Sequence, residues 1–235
     1  MKAVILAGGK GKRLEPYSTV LPKPLMPVGD MPIMEILIRQ LKRAGFDDIY
    51  IACGHLAELI KSYFNDGKKW GVNITYSVED KELGTVGPLK LLKKELDEPF
   101  ITINGDILTD MNFRDIFRYH IIHGGPMTLG VTKRQVYVDF GVIELDENTV
   151  KNYKEKPVLE YYVSMGVYVF TPYVIRIIPE DKKFDIPDLV DLLMSQNLKV
   201  FTYYYEGFWL DIGRKEDAIL AQEEFEKRKK EILGE

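Results

Sequence analysis

Five consecutive apolar residues, Ala3 to Ala7, break abruptly into Gly8-Gly9, and Gly11, Lys12 and Arg13 follow within a few positions. An unbroken apolar run of this length fits a strand buried on both faces, as in a parallel sheet covered by helices. The glycines let backbone N–H groups come close to an anion. Arg13 and Lys23 add fixed positive charge, Lys23 between Pro22 and Pro24. A strand that opens into glycines and cations is a phosphate-binding arrangement. It is not a dinucleotide fingerprint, because Leu14 stands at the third glycine and Pro16 opposes an immediate helix. It is not a Walker A loop either, because Arg13 follows Gly11-Lys12 where Ser or Thr is required.

The rest of the chain fits a buried parallel strand at its start. Strands are expected at Ile49 to Cys53, Asn73 to Val78 and Phe100 to Ile103, and helices at Pro32 to Ala44, Leu56 to Phe64 and Val86 to Leu96. This βαβ rhythm predicts an α/β fold of three layers, with a mostly parallel mixed central sheet. Its ligand crevice should lie at the carboxyl ends of the strands. The second half reads as strands at Met127 to Thr132, Phe140 to Leu145, Tyr161 to Phe170 and Lys199 to Tyr205. Helices are expected at Pro172 to Ile178, Ile186 to Ser195 and Arg214 to Leu233. The expectation is one domain over 1–235, built as a first half (1–125), a second half (126–213) and a C-terminal helix (214–235).

Composition narrows the function. The net charge is −4 with both signs abundant, so no basic face announces a nucleic-acid partner. Cys53 is the one cysteine, which excludes an internal disulfide, and a reducing cytoplasm is the expected compartment. No signal peptide or membrane-spanning run is read at the N-terminus, and no membrane partner is expected. His55, His120 and His123 show no metal-ligand spacing and read as structural or surface residues.

Two aspartates stand at or near glycine turns. Asp106 closes Asn104-Gly105-Asp106 after an apolar strand, a place suited either to Mg²⁺ or to an ordinary turn. Asp211 lies in Trp209-Leu210-Asp211-Ile212-Gly213, where by itself it could cap the helix starting near Arg214.

The cassette from Leu6 to Pro27 resembles the sugar-1-phosphate nucleotidyltransferases, whose pattern is roughly GGxG-T/S-R-L-x-P-x-T-x-x-x-PKP. Arg13, Pro16 and Lys23 fall in register, while Lys12 and Ser18 stand where the family has Thr or Ser and Thr. Asn104-Gly105-Asp106, Leu83-Gly84-Thr85-Val86-Gly87, Glu155-Lys156-Pro157 and the Trp209 element follow in the family's order.

The resemblance implies an enzyme that joins an NTP to a sugar 1-phosphate, with Mg²⁺ on Asp106 and Asp211, and assigns catalysis to Arg13, Lys23, Asp106 and Asp211. It places Leu6, Ala7, Gly8, Gly9, Gly11, Lys12, Arg13, Lys23, Glu79, Gly84 and Thr85 at the nucleotide. Asp106, Gly141, Glu155, Lys156, Ser164 and Gly166 fall at the sugar phosphate. Family members often carry Asn at the position of Ser164. A carboxylate at Glu79 could accept both N1–H and N2–H₂ of guanine, which favours GTP unless backbone groups read the base. The short length and the WLDIGR-type ending resemble mannose-1-phosphate guanylyltransferase-like members. Thymidylyl- or uridylyltransferases of glucose 1-phosphate, and a non-catalytic nucleotide-sugar binder, remain the alternatives. A homo-oligomer is an open expectation.

Overall fold

The structure is a computed structural model that describes residues 1–9 and 11–234; the side chain of Lys12 also lies outside the described residues. In chain order the elements are β1 (Lys2–Ala7), β2 (Pro27–Val28), β3 (Met31–Pro32), α1 (Ile33–Arg43), β4 (Asp48–Cys53), α2 (Ala57–Phe64) and β5 (Asn73–Val78). They continue with β6 (Phe100–Asn104), β7 (Ile107–Thr109), α3 (Phe113–His123), β8 (Met127–Tyr137), β9 (Val142–Asp146), β10 (Thr149–Lys154) and β11 (Val158–Phe170). The chain ends with α4 (Pro172–Ile177), α5 (Ile186–Ser195), β12 (Val200–Tyr204), β13 (Trp209–Asp211) and α6 (Lys215–Leu233).

Seven strands form one sheet in the order β12-β8-β11-β6-β1-β4-β5. β1 sits near the middle, parallel to both β4 and β6. β11 alone runs against its neighbours, β6 and β8. The sheet is therefore mixed and mostly parallel, as the alternation of elements predicts. Side chains of β1 divide between the two faces: Ala3, Ile5 and Ala7 join α1, α2 and α3 in one core, and Val4 joins α4 and α5 in the other. Burial on both faces explains the unbroken apolar sequence of β1.

The expected α-helix at Val86 to Leu96 is a correction: the segment is a short 3₁₀ helix, Gly87–Leu92. The N–H groups of Val86 and Gly87 both donate to Phe184 O, so the first turn is tied to another loop, and Pro88 follows at once. Conversely, α3 carries no sequence expectation above. Its signal is Asn112, whose side chain accepts from Arg114 N–H, followed by Phe113, Ile116, Phe117 and His120 along one buried face.

A third core cluster lies outside the sheet. Phe225 and Ile232 of α6 pack with Ile33 and Ile36 of α1 and with Leu108 and Leu210. The long C-terminal helix thus docks on its own chain. Gln222 anchors it by accepting from Gly29 N–H and donating to Pro27 O. The alternative role of Asp211, capping this helix, is filled by Asp217, which accepts from the N–H groups of Gly213 and Arg214. That leaves the Asp211 carboxylate free of the helix terminus.

Candidate active site

A cavity of about 810 Å³ opens at the carboxyl ends of β1, β4, β5 and β6. Eight of the residues expected at the nucleotide or the metal line it: Leu6, Gly8, Gly9, Gly11, Glu79, Gly84, Thr85 and Asp106. Ala7 is buried in the core beneath the loop. His55 lines the mouth, so it lies nearer the site than a bystander histidine would.

The glycines are there because other atoms come close. A Cβ on Gly8 would stand 2.8 Å from Glu79 Oε1, and one on Gly54 2.9 Å from the same oxygen. The Glu79 carboxylate therefore rests on two bare backbones, and its other oxygen accepts from Leu83 N–H at 3.0 Å. Burial pushes its pKa up, against the pull of that N–H group.

Below the glycine loop three charged side chains converge. Lys23 donates from Nζ to Asp106 Oδ2 and lies 3.9 Å from Asp211 Oδ1. Asp106 Oδ1 is buried and has no hydrogen-bond partner among the described residues. The two aspartates are far apart in sequence, and a short ladder brings them together. β13 pairs antiparallel with β7 so that Asp211 stands opposite Ile107, and Ile212 N–H donates to Asp106 O. Trp209 steadies this strand: its Nε1 donates to Met165 O at 2.8 Å, and the Arg134 guanidinium lies 5.0 Å over its ring. Burial and the neighbouring Asp106 charge raise the Asp211 pKa, while Lys23 and Arg13 oppose the rise. Arg13 is thus close to Asp211; its Nη1 is 3.7 Å from where a Gly213 Cβ would be.

One wall of the cavity is a clasp that the motifs do not announce. Asp185, at the start of α5, accepts from Thr85 N–H at 2.8 Å and from Thr85 Oγ1 at 3.2 Å. Ile186 N–H donates back to Thr85 Oγ1, and Phe184 N–H to Leu83 O. Asp185, Lys183 and Asn104 all line the cavity. Their sequence signal was slight: an Asp before Ile-Pro at a helix start, and an Asn before Gly-Asp.

The residues expected at the sugar phosphate divide into two groups. Gly166 has φ +73°, and a Cβ there would meet Asn104 Nδ2 at 2.6 Å, so this glycine is packed onto the cavity's rim. Ser164 Oγ is 3.1 Å from the Tyr168 hydroxyl, within a register shift of β11 against β8. Gly141, Glu155 and Lys156 are not among the cavity-lining residues. They lie at the root of an exposed ribbon, where Tyr153 donates its hydroxyl proton to Glu155 Oε2 at 2.6 Å.

A strand-end cavity floored by glycines, with a lysine between two aspartates, is the arrangement of a protein that handles phosphates. The family model for nucleotidyl transferases matches residues 2–228, and the chain belongs to that family. It is 35% identical to UTP–glucose-1-phosphate uridylyltransferase of Synechocystis sp., over 92% of this chain and 61% of that protein. It is 36% identical to mannose-1-phosphate guanyltransferase of Saccharomyces cerevisiae, over 93% of this chain and 63% of that one. The chain thus spans a little over three-fifths of the length of these curated relatives. A solved structure titled as a putative glucose-1-phosphate thymidylyltransferase from Bacillus anthracis superposes with a TM-score of 0.77. It is 26% identical, and the match covers 95% of this chain and 94% of that one.

Proposed function

We propose that this chain transfers a nucleotidyl group from an NTP to a sugar 1-phosphate, releasing pyrophosphate. The observation that carries the reading is the convergence of Lys23, Asp106 and Asp211 below a cavity lined by Gly8, Gly9 and Gly11. An oxygen of the sugar phosphate attacks the α-phosphorus, and the bond to the bridging β-phosphate oxygen breaks in line with it. The electron pair leaves with pyrophosphate. No protein nucleophile is needed, and Cys53 could not serve: it is buried and its thiol is pushed up to about 12.

Catalysis then rests on position and charge. Backbone N–H groups of the glycine loop and Arg13 hold the β- and γ-phosphates. Lys23 meets charge developing at the α-phosphate, and Lys156 orients the incoming phosphate. Residues 1–125 serve the nucleotide, residues 126–213 the sugar phosphate, and the last helix braces both.

Magnesium fits these residues. Asp106 Oδ1 is buried and lacks a partner among the described residues, and Asp211 adjoins it. No group of three or more His, Cys, Asp or Glu poised for a metal occurs among the described residues, so phosphate oxygens and water would complete the coordination of Asp106 and Asp211. Bound there, the ion would neutralise and align the phosphates.

Glu79 on the cavity wall supports GTP, since only guanine offers a carboxylate two adjacent donors. Mannose 1-phosphate or a related hexose or heptose 1-phosphate is the sugar this reading favours. UTP or dTTP with glucose 1-phosphate is the second reading, supported by the Synechocystis and Bacillus relatives. Pyrophosphate release measured over a panel of NTPs and sugar 1-phosphates tests both. Tight nucleotide-sugar binding without turnover for any pair would overturn the proposal and leave a binding protein.

A further inference from the structure

Every residue of β9 and β10 is exposed, although the ribbon they form is patterned like a half-buried one. Leu145 pairs with Val150 and Ile143 with Tyr153, so these four side chains share one face by strand alternation. The other face carries Glu144, Asp146, Asn152 and Lys154 beside Val142. The apolar four are 63%, 63%, 49% and 56% exposed, in the order of the pairs above, and Phe140 at the ribbon's root is 77% exposed. An isolated two-stranded ribbon is marginal in water, and an apolar face on one calls for a cover.

Charge favours a second copy of the same chain as that cover. The ribbon's charged residues divide by strand: Glu144 and Asp146 of β9, with Glu147 in the turn, against Lys151 and Lys154 of β10, with a Lys151–Glu144 ion pair at 3.1 Å. Such a rim offers no field for a polyanion or a lipid surface. A two-fold axis sets its lysines beside its own carboxylates. The area also suffices. With Phe140 before the ribbon and Tyr137 at the end of β8, the exposed apolar surface at this end of the chain comes to roughly 600–800 Å² per copy, taking about 150–250 Å² for a whole aromatic side chain. That approaches the ~800 Å² per partner of a stable interface.

We propose that two copies of this chain dock ribbon to ribbon through Ile143, Leu145, Val150 and Tyr153. Docking also fixes the adjoining Glu155-Lys156 turn for the sugar phosphate, a consequence that rests on the function proposed above. Tyr153 links the two roles, since its ring belongs to the apolar face and its hydroxyl holds Glu155. Gly141 closes the same corner, because any Cβ there would overlap the Tyr153 hydroxyl. Lys156 sits in the turn at φ +42°, a conformation that gains from a neighbour able to hold it.

Sedimentation equilibrium of the whole chain should give twice the 27.1 kDa of one chain. The double variant Ile143→Glu, Leu145→Glu should give a single mass with an unchanged circular-dichroism melt. Leu145→Cys should form a disulfide-linked dimer on mild oxidation, since the resident Cys53 is buried. A wild-type monomer, or a dimer that survives the double variant, overturns the docking proposal whatever the chain catalyses. In the monomeric variant KM for the sugar 1-phosphate should rise about tenfold while nucleotide Kd holds. An unchanged KM overturns the coupling to Glu155 and Lys156. Absence of turnover in the wild type overturns the function reading and leaves the mass measurements to decide docking.

Discussion

Replacing Gly84 by alanine tests the clasp that walls the nucleotide cavity. Gly84 has φ +82°, and a Cβ there would lie 2.6 Å from Asp185 Oδ1 and 2.8 Å from Phe184 O. Holding an L-residue in that conformation costs about 1–2 kcal/mol. The collision adds a second cost. Asp185 must draw back from Thr85, and weakening those hydrogen bonds costs about 1–2 kcal/mol more. The sum is about 3 kcal/mol, or a fall in Tm of roughly 6–12 °C for a chain of this size. Urea unfolding should show a lower midpoint at unchanged slope, and calorimetric titration should show weakened nucleotide binding. Asp185→Ala removes the side-chain collision and leaves the backbone strain and the contact with Phe184 O, so in that background the cost of Gly84→Ala should fall by about 1–2 kcal/mol. A Gly84→Ala protein within about 0.5 kcal/mol of wild type would refute the argument. So would a cost that is the same in both backgrounds.

Asp106→Asn should lower Mg²⁺-dependent pyrophosphate release by about a hundredfold or more while the thermal melt is retained; near-normal turnover would remove Asp106 from the mechanism. Glu79→Gln should erode a guanine preference by about tenfold or more in kcat/KM, and an unchanged preference would hand base reading to the backbone. His120 supplies a pH test of stability. Burial lowers its pKa from 6.5 to about 4, and its Nδ1 is 2.9 Å from Thr128 Oγ1. Between those two values the unfolded chain binds the extra proton, so its contribution is intact above pH 6.5 and is lost as pH falls towards 4, at about 1.4 kcal/mol per unit. Urea midpoints should slope across that window in wild type and flatten in His120→Asn; equal slopes would show that other groups carry the dependence.

What was legible in the sequence depended on how locally each feature is encoded. β1 and its loop announce themselves because burial on both faces demands apolar residues and close approach demands glycine. Asp106 was readable for the same reason, since a strand end and a glycine are neighbours in sequence. Its pairing with Asp211 was reached only through family resemblance, because the β7–β13 ladder is non-local. The 3₁₀ segment at Gly87–Leu92 escaped because its first donors go to Phe184, nearly a hundred residues on. Asp185 escaped for a related reason: its partner, Thr85, is a hundred positions away. The α3 helix was the local miss, with a capping Asn and an apolar face in plain sight. The ribbon was half legible, since a strand is expected at Phe140 to Leu145 while β10 (Thr149–Lys154) and the exposure of both strands are not.

The β7–β13 ladder also sets when the site can exist. Asp106 closes the fourth strand of a sheet that its own preceding residues can begin to build, whereas Asp211 arrives with the final fifth of the chain. Closing so long a loop is entropically slow compared with local pairing. During synthesis the glycine loop and Asp106 therefore stand ready first, with Lys23 to neutralise the waiting carboxylate. Such a half-built protein would hold its glycine loop and first aspartate without the second, and on the function proposed above it should stay chemically silent until its last strand is delivered.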